Sequence, residues 1–361
     1  MASTLTLAVS LFKVGEQLNV AESLCFYLTP LLFSRVEPAL RSALVSNAWT
    51  QLLVFLPVCV LPALATGHMA YVDVAWPAGL VALAVRATRC SGWRPRRLVA
   101  GLCLGLHGGR MFFGALYLFG RMTGFRYQFK EDLTRYQYAR LRWTRRHGAW
   151  SWPLKMHHDL VQQCGANSLT LAAPVFLAAL DATERFHVVE VAGYALWALA
   201  WALENVADAQ KQAFGAECRR VSRTAATPEA RSAAKLTVLG FEPFDGPKYS
   251  LWTFCRHPNY FAEWLAWCGL TAAALPSLFR RGYEPAIECG LLISFVLLPR
   301  FFYDCLVHWT GAGPAEYFSV QKRPAYTAYQ ISTRCFFPFP VPRVVDHHRV
   351  AGWPESERRS D

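Results

Sequence analysis

The sequence predicts an all-α fold, a polytopic bundle of transmembrane helices with about seven spans. Of its 361 residues, 53% are hydrophobic and only 17% are charged, whereas soluble proteins carry about 25% charged residues. Apolar stretches of about 20 residues, the length that crosses a bilayer, also recur along the whole chain. We therefore predict one transmembrane domain over residues 46–342 and a disordered tail over 343–361.

The spans are placed where apolar stretches are bounded by charged or turn-forming residues. In chain order they cover about 48–66, 70–88, 98–120, 160–180, 187–212, 259–279 and 285–309. In the preceding segment, 1–45, the apolar runs are interrupted by Gly15-Glu16-Gln17. This segment is therefore either a weak span or a helix at the membrane interface.

The net charge of +12 comes largely from Arg and Lys in the loops between the spans. Basic loops are retained in the cytosol, which places 121–157, 213–258 and the segment from 310 on that side. The Arg-rich turn 94–97 then falls on the opposite side. This distribution indicates membrane lipids rather than nucleic acid as partners. We expect an amphipathic surface helix within 121–157 and a flexible insert over 219–235.

The eleven cysteines do not indicate a disulfide framework or a metal site. Most stand singly in apolar stretches, and no CxxC pair occurs. They are predicted to be small buried hydrophobic residues. The run His157-His158-Asp159 contains metal-binding residue types but has no second ligand cluster. No metal is predicted.

Three ionisable residues inside predicted spans are candidate site residues. Asp73 lies near the start of the second span, and His107 and Arg110 lie near the middle of the third. A charge in the hydrocarbon region needs a partner or a water-filled cavity, and such residues are often functional. A structural role stays open as the alternative, in which Asp73 caps its helix or pairs with an arginine such as Arg110.

Two further groups of polar residues lie at the ends of spans. Glu204 and Asp208 are four residues apart and share a helix face, with Lys211 next to them. The box 256–263 joins a polar turn to an apolar helix, and Pro258 marks the first helical turn. A helix start of this kind presents free backbone N–H groups and favours an anion such as phosphate.

These residues give the chain a resemblance to the steroid 5-alpha-reductase superfamily, within which it is most similar to a branch of uncharacterised polytopic membrane proteins. Four stretches carry the resemblance: Asp73-Val74-Ala75-Trp76, the segment 204–211, the box 256–263, and Tyr326-x-x-Tyr329 with an aromatic-Pro end. The resemblance implies a helical domain that holds NADPH among the cytosolic ends of its last helices. The Arg-His-Pro-Asn-Tyr box is also shared with sterol reductases and isoprenylcysteine carboxyl methyltransferases.

Carried over position by position, the resemblance implies a set of cofactor contacts. They are Arg110, Glu204, Asp208, Lys211, Arg256, His257, Asn259 and Tyr260. We expect Asp73 or His107 to supply or relay a proton, with Tyr260 as an alternative, and Glu263 to orient the reacting carbonyl or the nicotinamide amide. Ala262 stands where the family has Gly, and the glutamate motif with which steroid reductases bind substrate is not recognisable, so a steroid substrate is not indicated.

The expected function is an NADPH-dependent reductase of a C=C bond in a lipid-like substrate, either an enone or a sterol-like or polyprenoid chain. The expected location is the endoplasmic reticulum membrane. Two alternatives stay open: a membrane methyltransferase that uses S-adenosylmethionine, and a non-catalytic lipid-binding membrane protein. The sequence does not indicate an oligomeric state.

Overall fold

The computed structural model describes residue Leu32 and residues 34–339. The predicted tail 343–361 and most of the predicted N-terminal segment lie outside this part of the chain. Its long elements are helices, and within it no strand is found beyond two isolated bridges. In chain order the helices are α1 (Pro38–Thr66), α2 (Val72–Thr88), α3 (Arg94–Met122), α4 (Thr134–His147), α5 (Ala149–Leu180), α6 (Val188–Thr224), α7 (Pro228–Leu236), α8 (Pro258–Phe279), α9 (Pro285–Asp304), α10 (Ala312–Lys322) and α11 (Tyr326–Ser332).

The predicted class, a helical membrane bundle, is confirmed. Within the described residues, four helical segments are long and apolar enough to cross a membrane: α1, α3, α5, and α9 with α10. Their lipid-facing character is visible in exposed apolar side chains such as Leu53 in α1 and Phe113 in α3. The other three predicted spans are helices too (α2, α6 and α8), but their membrane crossing stays a prediction.

Several helix bounds differ from those expected. Pro38 begins α1 ten residues before the predicted span, in the first-turn position where proline is favoured. The expected flexible insert over 219–235 is wrong, because α6 continues to Thr224 and α7 follows at Pro228. The sequence there is rich in Ala and Arg, which are good helix formers. The helix expected within 121–157 is found as α4.

The described chain divides into two compact units, whose boundaries fall inside α6, α8 and α9. The first unit comprises residues 34–198 and 267–301, and the second comprises 199–266 and 302–339. The single domain predicted over 46–342 stays a prediction.

Buried amide side chains join α1, α2 and α5 in the first unit. Asn47 Nδ2 donates to the carbonyl oxygens of Asn167 and Ser168, each at 2.9 Å. Gln51 Nε2 donates to the Gly79 carbonyl at 2.9 Å. The two α5 acceptors lie in a π-helical turn, Ala166–Thr170, where the regular backbone pattern is interrupted. Hydrogen bonds of this kind hold helices together where the surrounding lipid provides little hydrophobic driving force.

A charge-balanced cluster closes one end of the first unit. Arg96, at the start of α3, is fully buried, and its Nε lies 3.3 Å from Glu190 Oε1 near the start of α6. Arg280 Nη1, just after α8, donates to Glu190 at 2.8 Å and to Asp181 Oδ2 at 2.7 Å. Ser277 Oγ donates to the same Asp181 oxygen at 2.8 Å. Two cations and two carboxylates therefore tie together the ends of α3, α5, α6 and α8.

Glycine allows α6 and α8 to approach closely within the first unit. A Cβ atom at Gly193 would lie 2.6 Å from both the Gly269 carbonyl oxygen and the Ala273 nitrogen. These are backbone atoms, which cannot move aside as a flexible side chain could. The contact is therefore available only to a residue without a side chain at this position.

We predict that Gly193→Ala lowers stability by about 1–3 kcal/mol, the usual cost of overpacking. The measurement is thermal unfolding of the purified protein in detergent. Gly109→Ala in α3 is the matched control, because a Cβ there meets no atom within 4 Å. The control should be neutral or stabilising, since alanine favours the helix. Equal destabilisation by both changes would contradict the close approach.

Acid should weaken the cluster through Asp181. Burial would raise the pKa of this carboxyl, but hydrogen bonds from the Thr183 backbone, Arg280 and Ser277 outweigh burial and lower it from 3.8 to about 2. A carboxyl group whose pKa is lowered by folding stabilises the protein fully when the pH is above the pKa of the unfolded state. This stabilisation is lost as the pH falls through the pKa of the folded state. We predict that the melting temperature of the wild type falls more steeply between pH 4 and 2 than that of Asp181→Asn. Parallel curves would contradict this.

Candidate functional site

The structure gives Asp73 two partners in the first unit. Its carboxylate accepts hydrogen bonds from Arg135 Nη2 at 2.6 Å and Tyr136 Oη at 2.7 Å. It also lies in the first turn of α2, where the helix dipole favours an anion. This geometry matches the alternative considered for Asp73, a structural ion pair, but its arginine partner here is Arg135 in α4. Its catalytic role stays a prediction.

His107 and Arg110 lie on α3, also in the first unit. The His107 ring is buried and packs edge-on against the Trp267 indole, with ring centroids 5.7 Å apart. Arg110 follows one turn later and is half-buried. The neighbouring Gly108 lets α3 lie against α2, since a Cβ atom there would be 2.7 Å from Leu80 Cβ. The proton and cofactor roles expected of His107 and Arg110 stay predictions.

In the second unit, the two polar groups singled out in the sequence meet. Asn259 Nδ2, in the first turn of α8, donates to Asp208 Oδ1 of α6 at 3.1 Å. Leu203 of α6 packs with Tyr260 against the aromatic cluster around Phe261. Segments that are about 50 residues apart in the chain therefore form one polar surface, to which Glu204 and Glu263 add two buried carboxylates.

The Asn259 amide is only half satisfied. Its side chain is buried, and its Oδ1 atom has no hydrogen-bond partner among the described residues. A buried acceptor without a partner costs about 1–3 kcal/mol. Such an acceptor fits a ligand that brings an N–H or O–H donor, and the carboxamide and ribose hydroxyls of a nicotinamide nucleotide carry both. The residues present therefore fit the expected cofactor at this position.

Lys211 lies next to Asp208 on α6, and its neighbour is an aromatic ring. Its Nζ lies 5.5 Å from the centre of the Trp252 ring, a cation–π distance. The Trp252 Nε1–H donates to the Ala207 carbonyl at 3.1 Å, and Gln210 Oε1 accepts from the Leu251 nitrogen at 3.2 Å. The turn Leu251–Phe254 is thereby fixed against α6, just ahead of the box 256–263.

Arg256, expected to contact phosphate, is instead enclosed by protein atoms. Its side chain is fully buried, and Nε and Nη2 donate to the two carboxylate oxygens of Glu316 in α10, at 2.7 and 3.2 Å. Nη1 donates to the carbonyls of Gln330 (3.1 Å) and Thr333. The guanidinium thus holds α10 and the end of α11 against the start of α8. This makes Arg256 a positioning residue, and its phosphate contact stays a prediction.

His257 completes the surroundings of Glu316. Its Nε2 lies 2.8 Å from Glu316 Oε1, and its ring stacks on Tyr260 with centroids 5.2 Å apart. Burial lowers the pKa of His257, although Glu316 opposes the shift. A carboxylate only accepts hydrogen bonds, so Nε2 carries the proton and Nδ1 is the acceptor of a neutral ring. The ring therefore fixes the orientation of Tyr260, which is a predicted cofactor contact.

Glu316 is a central residue that the sequence analysis did not select. It is fully buried and also accepts from Gln330 Nε2 at 2.6 Å. A signal was present, since Glu316 is an acid between apolar residues, as Asp73 is. With His257 and Cys335 it forms a group whose potential ligand atoms lie within 4.8 Å of one another. Both carboxylate oxygens of Glu316 already accept hydrogen bonds from Arg256, so in this structure Glu316 forms an ion pair.

The closing tyrosines of the sequence motif are anchors for α11. Tyr326 and Tyr329 are buried, and Tyr329 Oη donates to the Trp252 carbonyl. Gly240 adopts a left-handed backbone with φ of 83° next to this bond. A Cβ at position 240 would lie 2.4 Å from the Trp252 carbonyl oxygen and 2.7 Å from Tyr329 Oη. The turn at Gly240 thus allows α11 to reach the segment that precedes α8.

Comparison with known proteins gave one match. A family described as "Protein of unknown function (DUF1295)" matches residues 61–333, which are 273 of the 361 residues. The match includes the four stretches from Asp73 to Tyr329. No curated protein and no solved structure matches the chain.

We predict that Glu316→Gln destabilises the protein by about 3–5 kcal/mol, because it leaves the buried Arg256 guanidinium without its counter-charge. Thermal unfolding in detergent measures the effect. Glu217→Gln is the control: Glu217 forms a similar bidentate pair with Arg220, but on an exposed surface, and its loss should change little. Equal effects of the two changes would show that Glu316 does not have the assigned positioning role.

Proposed function

Because the chain belongs to the DUF1295 family, which is associated with steroid 5-alpha-reductase-like proteins, we propose that it is a membrane-embedded, NADPH-dependent reductase of a lipid C=C bond. The observation that carries the proposal is the hydrogen bond from Asn259 to Asp208. It joins the two stretches that the resemblance assigns to the cofactor. We propose the endoplasmic reticulum membrane as the location.

Within the proposal, the buried residues of the second unit bind and orient the cofactor. Asn259 Oδ1 accepts a hydrogen bond from a carboxamide or a ribose hydroxyl, while Asp208 fixes the orientation of the Asn259 amide. Tyr260, stacked on His257, presents one side of its ring as a rigid surface. Glu204 and Glu263 supply further acceptors on adjacent turns of α6 and α8. NADPH, when bound, supplies the hydride.

The substrate is proposed to be lipid-like, since the surrounding helices are apolar and face lipid. Reduction of a polarised C=C bond also requires a proton. His107 and Tyr260 are the proposed donors, because both carboxylate oxygens of Asp73 already accept hydrogen bonds from Arg135 and Tyr136. Glu263 is proposed to orient the reacting carbonyl or the nicotinamide amide.

We predict that NADPH stabilises the detergent-purified protein, by about 2.7 kcal/mol at 100 times its dissociation constant. Asn259→Ala should abolish the thermal shift. Asn205→Ala on α6 is the matched control, because the Asn205 amide donates within its own helix to the Trp201 carbonyl. The control should keep the wild-type shift.

Two results would overturn the proposal. A shift with S-adenosylmethionine and none with NADPH would indicate a methyltransferase instead. Absence of a shift with NADPH, NADH and S-adenosylmethionine would leave a lipid-binding membrane protein. A positive NADPH shift leads to a search for turnover, in which NADPH oxidation is followed with lipid enones and polyprenoids and with Asn259→Ala as the negative control.

A further inference from the structure

A basic cavity of about 350 Å³ lies in the second unit, apart from Asn259 and the Glu316 cluster. It is formed by the last three turns of α6, the end of α7 and the residue that follows α10. Phe214 and Cys218 form its inner wall and also pack against the buried cluster of Leu239, Phe244, Tyr249 and Trp252. The wall of this open cavity is therefore backed by a packed core.

Four cationic side chains line this cavity, and none of its lining residues is acidic. Arg219 and Arg223 come from α6, Lys235 from α7, and Arg323 from the residue after α10. The buried Nε atom of Arg323 has no hydrogen-bond partner among the described residues. Four cations from three separate segments, with no internal counter-charge in the described part of the chain, repel one another unless an anion is bound.

Other basic residues nearby have partners and do not line the cavity. Arg220 is next to Arg219 in sequence but points to Glu217, with hydrogen bonds of 3.0 and 2.6 Å, and neither residue lines the cavity. Lys248 lies over the Tyr249 ring. The cations of the cavity thus differ from Arg220 and Lys248 in lining the cavity.

The size and chemistry of the cavity select the ligand. Small-molecule sites occupy about 300–1,000 Å³, so this cavity takes a ligand of the size of a phosphorylated sugar or polyol. Arginine donors in a fork geometry match the oxygens of a phosphate group, and lysine adds a point charge. We propose that the cavity lined by Arg219, Arg223, Lys235 and Arg323 binds a phosphate monoester carried on a polyol-sized body.

The position along α6 is compatible with a ligand at the membrane surface. The 37 residues of α6 extend over roughly 55 Å, whereas a bilayer core is about 30 Å thick. With the predicted span ending near 212, the lining residues 214–223 project beyond it on the predicted cytosolic side. Both a phosphorylated lipid headgroup and a soluble phosphorylated polyol reach such a site, and the experiment separates them.

The experiment uses the full-length protein in phosphatidylcholine nanodiscs, with thermal stability as the readout. One arm adds soluble inositol phosphate, and the other incorporates a phosphatidylinositol phosphate in the nanodisc. We expect stabilisation in at least one arm. Stabilisation with the soluble compound identifies a soluble source, and stabilisation only with the lipid identifies a headgroup. Increasing salt should weaken either effect.

Variants test whether the cavity is responsible. Arg223→Gln and Arg323→Gln should each weaken binding about 10- to 100-fold, as expected for loss of a charged hydrogen-bond donor. Arg220→Gln removes the same charge one position from Arg219 but outside the cavity, and it should bind as the wild type does. Equal weakening in Arg220→Gln, or no stabilisation in either arm, would overturn the proposal. NADPH is absent from both arms, so the result is independent of the proposed reductase activity.

Discussion

The arrangement of the second unit depends on one buried carboxylate. Glu316 is surrounded by donors from two other parts of the chain: Arg256 and His257 ahead of α8, and Gln330 of α11. A charge without a partner would be costly at this depth, so the polypeptide must bring these segments together before the carboxylate can be buried. The first turn of α8, which carries Asn259 and Tyr260, is positioned as a result. The candidate site is therefore oriented by the ion pair between Arg256 and Glu316.

The first unit uses the same principle with different components. There, the charges of Arg96 and Arg280 are balanced by Asp181 and Glu190, and the cluster joins helix ends rather than a helix start and a tail segment. Where lipid surrounds the helices, apolar contact alone discriminates weakly between alternative packings. Buried ion pairs and amide hydrogen bonds do so more strongly, because each wrong pairing leaves a polar group unsatisfied.

Much of the fold could be predicted because it depends on local sequence. Within the described residues, the apolar stretches located the seven helices that correspond to the predicted spans, and Pro258 marked the start of α8 correctly. The length of α6 was underestimated, because loss of hydrophobicity after 212 was interpreted as the end of the helix, although the residues there still favour helix.

The parts of the site that lie within local sequence motifs were predictable. The pairs formed by residues far apart in the chain were not. The segment 204–211 and the box 256–263 were identified separately, and the Asp208–Asn259 hydrogen bond now joins them. In contrast, the pairing of Arg256 with Glu316 was not predicted, because the two residues are 60 positions apart and no local pattern connects them. The partner of Asp73 could not be predicted either. The sequence contains many arginines, and only the folded structure shows that Arg135 forms the ion pair.

The pairing of Arg96 has a consequence for how the chain is made. The acceptors of Arg96 lie 85 to 94 residues downstream, so a ribosome produces α3 well before Asp181 and Glu190 exist. Until then the arginine-rich start of α3 carries positive charge without these two partners, and basic segments of this kind favour the cytosolic side of a membrane. Once Asp181 and Glu190 have been synthesised, Arg96 has both of its counter-charges. The charge balance of Arg96 is thus completed by residues that are synthesised later, so the start of α3 depends on the loop after α5 and the start of α6 for its neutralisation.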